Sequence, residues 1–263
     1  MLTILMPIAK IDDFLRQAID SIKNQTYRNY TCHLLCTNID PNDIKKLIEF
    51  IAGDDRYIIH KLRLSGIAFA LNYGLNLCDS KYIARMDGDD LSHCTRFEKQ
   101  IEFLEKNPHH ALVGCKVDLI DESGNKIIQE FKFYGTNIDI RRVLKYRMPL
   151  CHPALMFNAK VLMDSKGYLY GNAAEDHELY LRIARETKYL FANLHESLFS
   201  YRRHKNQLTN ISHAKNSYYN IAGFLFTEFM ISKNPIYFIG IFANHPLLRK
   251  ARVVLRTFKG LMK

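Results

Sequence analysis

Hydrophobic and polar positions in the first 110 residues alternate between unbroken apolar stretches and apolar residues spaced three and four apart. Residues 2–6 form a short apolar run, as in a strand covered on both faces. Ile11, Phe14, Leu15, Ala18, Ile19 and Ile22 then recur at helical spacing, with Asp12 and Asp13 in the first turn, where the helix dipole favours acids. Tyr30–Thr37 predicts a second strand, and Pro41 opens a helix carrying Ile44, Leu47, Ile48 and Ile51. Tyr57–Leu62 predicts a third strand, residues 66–77 a third helix, residues 82–86 a fourth strand and residues 96–105 a helix. This alternation predicts a parallel sheet with helices on both faces, and ligands bound beyond the carboxyl ends of its strands.

After Pro108 the rhythm changes. Residues 111–118 and 126–133 flank Asp121-Glu122-Ser123-Gly124-Asn125, which predicts a hairpin. Residues 154–158 predict a short strand, 175–186 a helix, and 189–192 and 197–202 two more strands, a mixed α+β half that extends the same sheet. From about residue 212 the chain turns aromatic and basic. The apolar runs 224–230 and 236–243 are interrupted by Glu228, Lys233, Asn234 and Pro235, and neither reaches the roughly 20 residues that span a bilayer. Residues 251–263 set Val253, Val254, Leu255 and Phe258 among Arg252, Arg256, Lys259 and Lys263. Such a basic amphipathic helix lies on anionic lipid or packs its apolar face on a core, and the two are compatible.

Charge sharpens this division. The net charge is +10, yet residues 1–200 hold 26 basic and 26 acidic residues, while residues 201–263 hold 11 basic residues against Glu228 alone. A neutral body with a basic tail, and no recognisable nucleic-acid module, argues against a nucleic-acid partner. The six cysteines include no CxxC pair, which predicts reduced thiols in a cytosol-like compartment. The opening residues lack the basic start and cleavage site of a signal peptide.

Candidate chemistry begins where the fourth strand ends. Asp87-Gly88-Asp89-Asp90 puts three carboxylates in four residues, which repel one another unless a cation sits among them. Mg²⁺ and Mn²⁺ take oxygen ligands and are held by one or two carboxylates plus substrate phosphates, so the motif reads as a metal-diphosphate clamp or, alone, as an acidic surface turn. The second acidic cluster, Glu175-Asp176-His177-Glu178, opens a helix. Acids there cap amide groups, or one of them serves as a general base.

Taken in order, these segments resemble glycosyltransferase family 2, enzymes of GT-A fold that build bacterial surface polysaccharides. Ile4-Leu5-Met6-Pro7 resembles the family's first strand, and residues 18–27, ending Asn24-Gln25-Thr26-Tyr27, its "SILNQTY" helix end. Residues 82–90 are close to "YIARMDADD". Phe97-Glu98-Lys99-Gln100, His152-Pro153-Ala154, Glu175-Asp176 and Tyr201-Arg202-Arg203-His204 also match, the last near "YRxH". The resemblance spans about residues 2–210.

The resemblance implies a GT-A domain over 1–211, with a nucleotide-binding half (1–107) and an acceptor-side half (108–211), and a helical tail over 212–263. It implies a nucleotide-sugar site that includes Pro7, Thr37, Asn38, Asp87, Asp89 and Asp90. Asp87 would contact the ribose, Asp89 would ligate Mn²⁺ or Mg²⁺, and His204 would add a metal ligand. Asp176 would be the base, with Glu175 as support. His152, Arg202, Arg203 and Lys205 would face acceptor or phosphates. One base opposite one leaving-group stabiliser implies direct displacement with inversion. One segment departs: the family's Asp-Asp-Gly-Ser turn after the second strand is here Cys36-Thr37-Asn38-Ile39, without the acid that reads uracil, so UDP stands only as the default. A lipid-diphosphate-linked saccharide at the inner face of the cell membrane is the natural acceptor if the tail rests on anionic lipid. Two other readings share these residues, a degenerate binder of nucleotide sugars and a nucleotidyltransferase. The latter usually carries a Gly-rich basic loop where this chain has Pro7-Ile8-Ala9-Lys10.

Overall fold

A computed structural model describes residues 1–170, 173–205, 214–245 and 248. Strands β1 (Leu2–Ile8), β2 (Tyr30–Thr37), β3 (Tyr57–Leu62) and β4 (Tyr82–Arg85) run parallel, connected through α1 (Asp13–Lys23), α2 (Pro41–Ile51) and α3 (Ile67–Asn76). There follow β5 (Leu91–Ser92), α4 (Arg96–Lys106), β6 (His110–Ile120), α5 (Asn137–Leu144), β7 (Met156–Asn158), α6 (Ala159–Asp164), α7 (Glu175–Arg185), β8 (Leu190–Arg202), α8 (Ala214–Ser232) and α9 (Pro235–Asn244). One eight-stranded sheet takes the order β3-β2-β1-β4-β7-β6-β8-β5. Only β7 and β5 run against their neighbours.

Alternation along the strands divides the core into two layers. Ile4, Met6, Cys32, Leu34, Tyr82 and Ala84 face α1, α2 and α4, whereas Leu5, Leu35 and Ile83 face α3, α5, α6 and α7. Helix starts follow local chemistry. Asp12 accepts from the Phe14 and Leu15 amides at 3.1 and 3.2 Å, and Asp40 caps α2 with Pro41 behind it.

The chain leaves β1 on one side to form β2 and β3, then returns to lay β4 on the other. In open sheets of this kind ligands bind at such a reversal. Pro7 has no amide proton, and it lies past Leu5, the last β1 residue paired with β4.

Two expectations are corrected. The turn 121–125 forms, closed by an isolated bridge between Ile120 and Lys126, but residues 127–133 form no strand. β6 already has β7 on one edge and β8 on the other, so a hairpin arm has no edge to pair with. The two strands expected over 189–202 are one, β8, in which Cys115 pairs Leu194 and Lys116 pairs Ser197. His195 and Glu196 bulge out between them.

The runs 224–230 and 236–243 belong to α8 and α9, which fold as a hairpin against α7. Phe224 and Leu225 are buried there, and Arg185 Nε donates to the buried Glu228 carboxylate at 2.9 Å. Among the described residues, no helix is long and apolar enough to cross a membrane. The basic segment 251–263 lies outside the described residues.

Candidate active site

The site is built at the carboxyl ends of β1, β2 and β4. Pro7 and Ile8 finish β1 beside Leu35 and Cys36 of β2, so Thr37 and Asn38 emerge next to them. Thr37 Oγ1 donates to the Ile8 carbonyl at 3.3 Å. Asn38 adopts a left-handed backbone (φ 54°), a conformation asparagine tolerates better than most residues, and its side chain is exposed.

The acidic loop is held from three directions. Arg85, buried at the end of β4, donates to Asp87 Oδ1 at 2.7 Å. Because β5 pairs with β8, the end of β8 runs alongside the loop. The Arg202 amide donates to Asp90 Oδ1 at 2.8 Å, and His204 Nε2 lies 2.8 Å from Asp89 Oδ2. α1 supplies the third direction. Phe14 packs its ring 5.4 Å from the His204 ring and 4.6 Å from the Arg202 guanidinium, and Gln17 accepts from Arg202 Nη2 at 2.8 Å.

These contacts assign Arg202 a different place from the one its sequence position implied. It is fully buried, and its guanidinium donates to the carbonyls of Asp89, Asp121 and Glu122 as well as to Gln17. The cation is spent on protein acceptors and acts as a brace under the acidic loop. Arg203 is exposed, as is Lys205.

Ligand atoms of Asp87, Asp89 and Asp90 lie within 4.8 Å of one another. Burial, then the charge of Asp87, pushes the Asp89 carboxyl up, with His204 opposing. Burial and the charges of Asp87 and Asp89 push Asp90 well up. Asp90 Oδ2 is buried without a hydrogen-bond partner. Crowded carboxylates that are costly to ionise, with one orphaned oxygen among them, are what a hard divalent cation corrects, so these residues fit such an ion.

The second acidic element enters from α7. Ala174 precedes it in a left-handed conformation (φ 59°) and offers no side-chain cap. Asp176 caps instead, its Oδ1 accepting from the His177 amide at 2.8 Å. Burial, then the neighbouring Glu175 charge, pushes the Asp176 carboxyl up to about 7. Glu175 is itself raised by burial, opposed by Arg85 and further raised by Asp87. The Asp87 charge therefore reaches Glu175, and both charges act on Arg85. The two acidic motifs share one region.

Beneath them is a buried polar layer. His152 Nε2 and the Tyr168 hydroxyl are 2.8 Å apart, and burial, then Arg85, pushes His152 well down, so its imidazole is neutral. Asn72 fixes Tyr168 through both backbone groups, at 2.7 and 2.9 Å. Arg85 Nε and the Tyr180 hydroxyl are buried without partners.

Arg85, Phe14, Tyr168 and Tyr180 were not among the residues singled out from sequence. Arg85 offered one signal, a cation inside a run that is otherwise apolar and buried. Phe14 offered none, because at its helical spacing it reads as an ordinary core position.

This sheet, reversed at β1 and β4 and carrying its acids at the β4 end, is the GT-A fold. The S. aureus TarS fragment 1–349, solved with UDP-GlcNAc, superposes with a TM-score of 0.66 at 11% identity, over 85% of this chain and 65% of that one. The chain thus spans about two thirds of that fragment. The mannosyltransferase PcManGT from Pyrobaculum calidifontis, solved with GDP-Man and Mn²⁺, gives a TM-score of 0.62 at 14% identity, over 92% and 68%. In sequence, the Glycosyl transferase family 2 model matches residues 3–164. The O-antigen biosynthesis glycosyltransferase WbnJ of Escherichia coli is 34% identical over 232 residues, 88% of this chain and 89% of that protein. The chain belongs to glycosyl transferase family 2.

Proposed function

We propose that this family member is a metal-dependent, inverting glycosyltransferase. It moves a sugar from a nucleotide-sugar donor, UDP-linked by default, to a hydroxyl of a saccharide carried on a lipid diphosphate. The product is a surface polysaccharide such as O-antigen, capsule or exopolysaccharide, assembled at the inner face of the cell membrane with residues 212–263 on anionic lipid. One observation carries the catalytic reading: the buried Arg85, hydrogen-bonded to Asp87 at 2.7 Å, also lies within electrostatic reach of Glu175 at the start of α7, so both acidic motifs stand around one cation. The E. coli O-antigen relative supports the polysaccharide class, and the Mn²⁺-containing mannosyltransferase supports the cation.

Asp89 and His204, with Asp90 behind them, would hold Mn²⁺ or Mg²⁺. Bound there, the ion stabilises charge developing on the diphosphate leaving group. Asp87, fixed by Arg85, faces the ribose, while Pro7, Thr37 and Asn38 line the nucleotide side. The acceptor oxygen attacks the anomeric carbon as the bond from that carbon to the diphosphate oxygen breaks. Its proton passes to Asp176, and the nucleoside diphosphate departs with the bonding electrons. Attack opposite the leaving group inverts the centre. Burial, and then the Glu175 charge, bring the Asp176 pKa up to about 7, near the operating pH at which a general base works best. His152 and Arg203 stand on the acceptor and phosphate side.

Thermal unfolding across a panel of nucleotide sugars, with and without Mn²⁺, tests donor, cation and site together. A rise in Tm for one donor, lost on chelation, is expected, followed by product formation with that donor. Transfer that persists unchanged in a chelator would end the metal assignment.

A further inference from the structure

The outward face of the α8–α9 hairpin is apolar to a degree that a water-facing surface does not explain. On α8, Tyr219, Phe226 and Met230 recur at helical spacing, and on α9 Phe238, Ile239 and Phe242 do the same. These six side chains are 43–67% exposed. Ring contacts join the two stripes into one band, with Phe226 6.4 Å from Phe229, Phe229 5.5 Å from Phe238, and Phe238 5.4 Å from Phe242.

No charge breaks the band. Between 217 and 244 the only charged residues are Glu228, which is buried against Arg185, and Lys233 in the exposed turn. Contiguous exposed aromatic surface of this kind marks an interaction site. Charge identifies what lies against it. Every charged residue from 246 to 263, beginning with Arg249 and Lys250, is basic. Aromatic rings followed in sequence by a run of cations match the interface of an anionic bilayer, where rings sit at headgroup level and lysine and arginine meet phosphate.

We propose that the α8–α9 face is a monotopic lipid-binding surface, its aromatic band entering the outer acyl layer of an anionic membrane. The membrane-facing element is then the described hairpin, and the basic residues after α9 serve as its electrostatic partner. The hairpin also touches the approach to the base. Asn220 Nδ2 donates to the Ala173 carbonyl at 3.1 Å, one residue before the left-handed Ala174, and Phe224 packs 4.7 Å from Tyr170. A lipid-carried acceptor would thus arrive on the side where α7 begins. The surface deepens the membrane placement in the proposed function, and the acceptor's route rests on that reading.

The chain contains no tryptophan, which makes a single one a clean reporter. The full-length Phe238→Trp variant is mixed with vesicles of phosphatidylcholine alone or with phosphatidylglycerol added. Emission should shift to the blue and be quenched by brominated acyl chains on the anionic vesicles, with partitioning about tenfold weaker on the neutral ones. Emission unchanged by anionic vesicles overturns the proposal. So does a blue shift that grows with protein concentration without lipid, because a second copy then covers the face. In the Phe226→Ser, Phe242→Ser double variant, partitioning should fall at least about tenfold while donor-dependent Tm is kept. Undiminished partitioning also overturns it. Loss of sugar transfer with vesicle binding intact would sink the enzymatic reading and leave the surface standing.

Discussion

The Arg202 amide donates to Asp90 Oδ1 at 2.8 Å, tying the last residue of β8 to the acidic loop after β4. The same residue's guanidinium satisfies the Asp89, Asp121 and Glu122 carbonyls and Gln17. Truncating it leaves four part-buried acceptors without their shared donor and removes the guanidinium's tie between β8 and the acidic loop. Arg202→Met should destabilise the fold by about 3–5 kcal/mol, measured by urea unfolding.

The proposed cation site centres on Asp89 and its contact with His204. Asp89→Ala should abolish Mn²⁺ binding in isothermal titration and remove metal-dependent nucleotide binding. His204→Ala should weaken Mn²⁺ by at least about 10–100-fold, the loss seen when even an outer contact at a metal centre is removed. Mn²⁺ binding at wild-type strength in both variants would move the metal away from this loop.

Asp176→Asn keeps the shape of the carboxyl but cannot accept a proton. Transfer should fall by about 10²–10⁴-fold while donor affinity stays within about twofold, separating the base from the binding residues.

The pH profile follows from the same residue. Its carboxyl is held up to about 7 by burial and Glu175. A general base works only when ionised, so in the role proposed for Asp176 kcat should climb with pH and level off above about 7, falling close to tenfold per unit on the acid side. Stability runs in the opposite sense. A carboxyl raised above its unfolded value of about 3.9 contributes stability that is complete below that value and lost as pH rises through about 7. Asp176→Asn should flatten both dependences.

Arg185 links α7 to the hairpin through Glu228. Arg185→Ala strands a carboxylate that is only 3% exposed. A loss of about 2 kcal/mol in chemical denaturation is expected, and Glu228→Gln in the same background should recover part of it.

Strands β1, β2 and β4 were legible because each is buried almost throughout and reads as a largely apolar run. β3, half-exposed at the sheet edge, was legible from its short β-prone stretch between helical segments. β5 is two residues and α6 is six, too short for a period to repeat. The 126–133 segment shows how pattern misleads: Lys126, Ile128 and Phe131 suggest a strand, but sheet order decides pairing, and Ile128 ends fully exposed. At β8 the reverse holds. His195 and Glu196 interrupt the apolar rhythm, which suggests two strands, whereas the chain bulges and continues. The carboxylates of the site were visible as motifs. Their supports were not, since Arg85, Phe14 and Tyr168 act through positions that only the folded chain brings together.

The cluster at 87–90 and the histidine that meets it are 115 residues apart in the chain. During synthesis the acids emerge early and wait, mutually repelling, until the final strand is laid beside them. The proposed ion capture would therefore be a property of the completed sheet, and a ribosome stalled before residue 202 would release a fragment lacking the His204 contact to the acids.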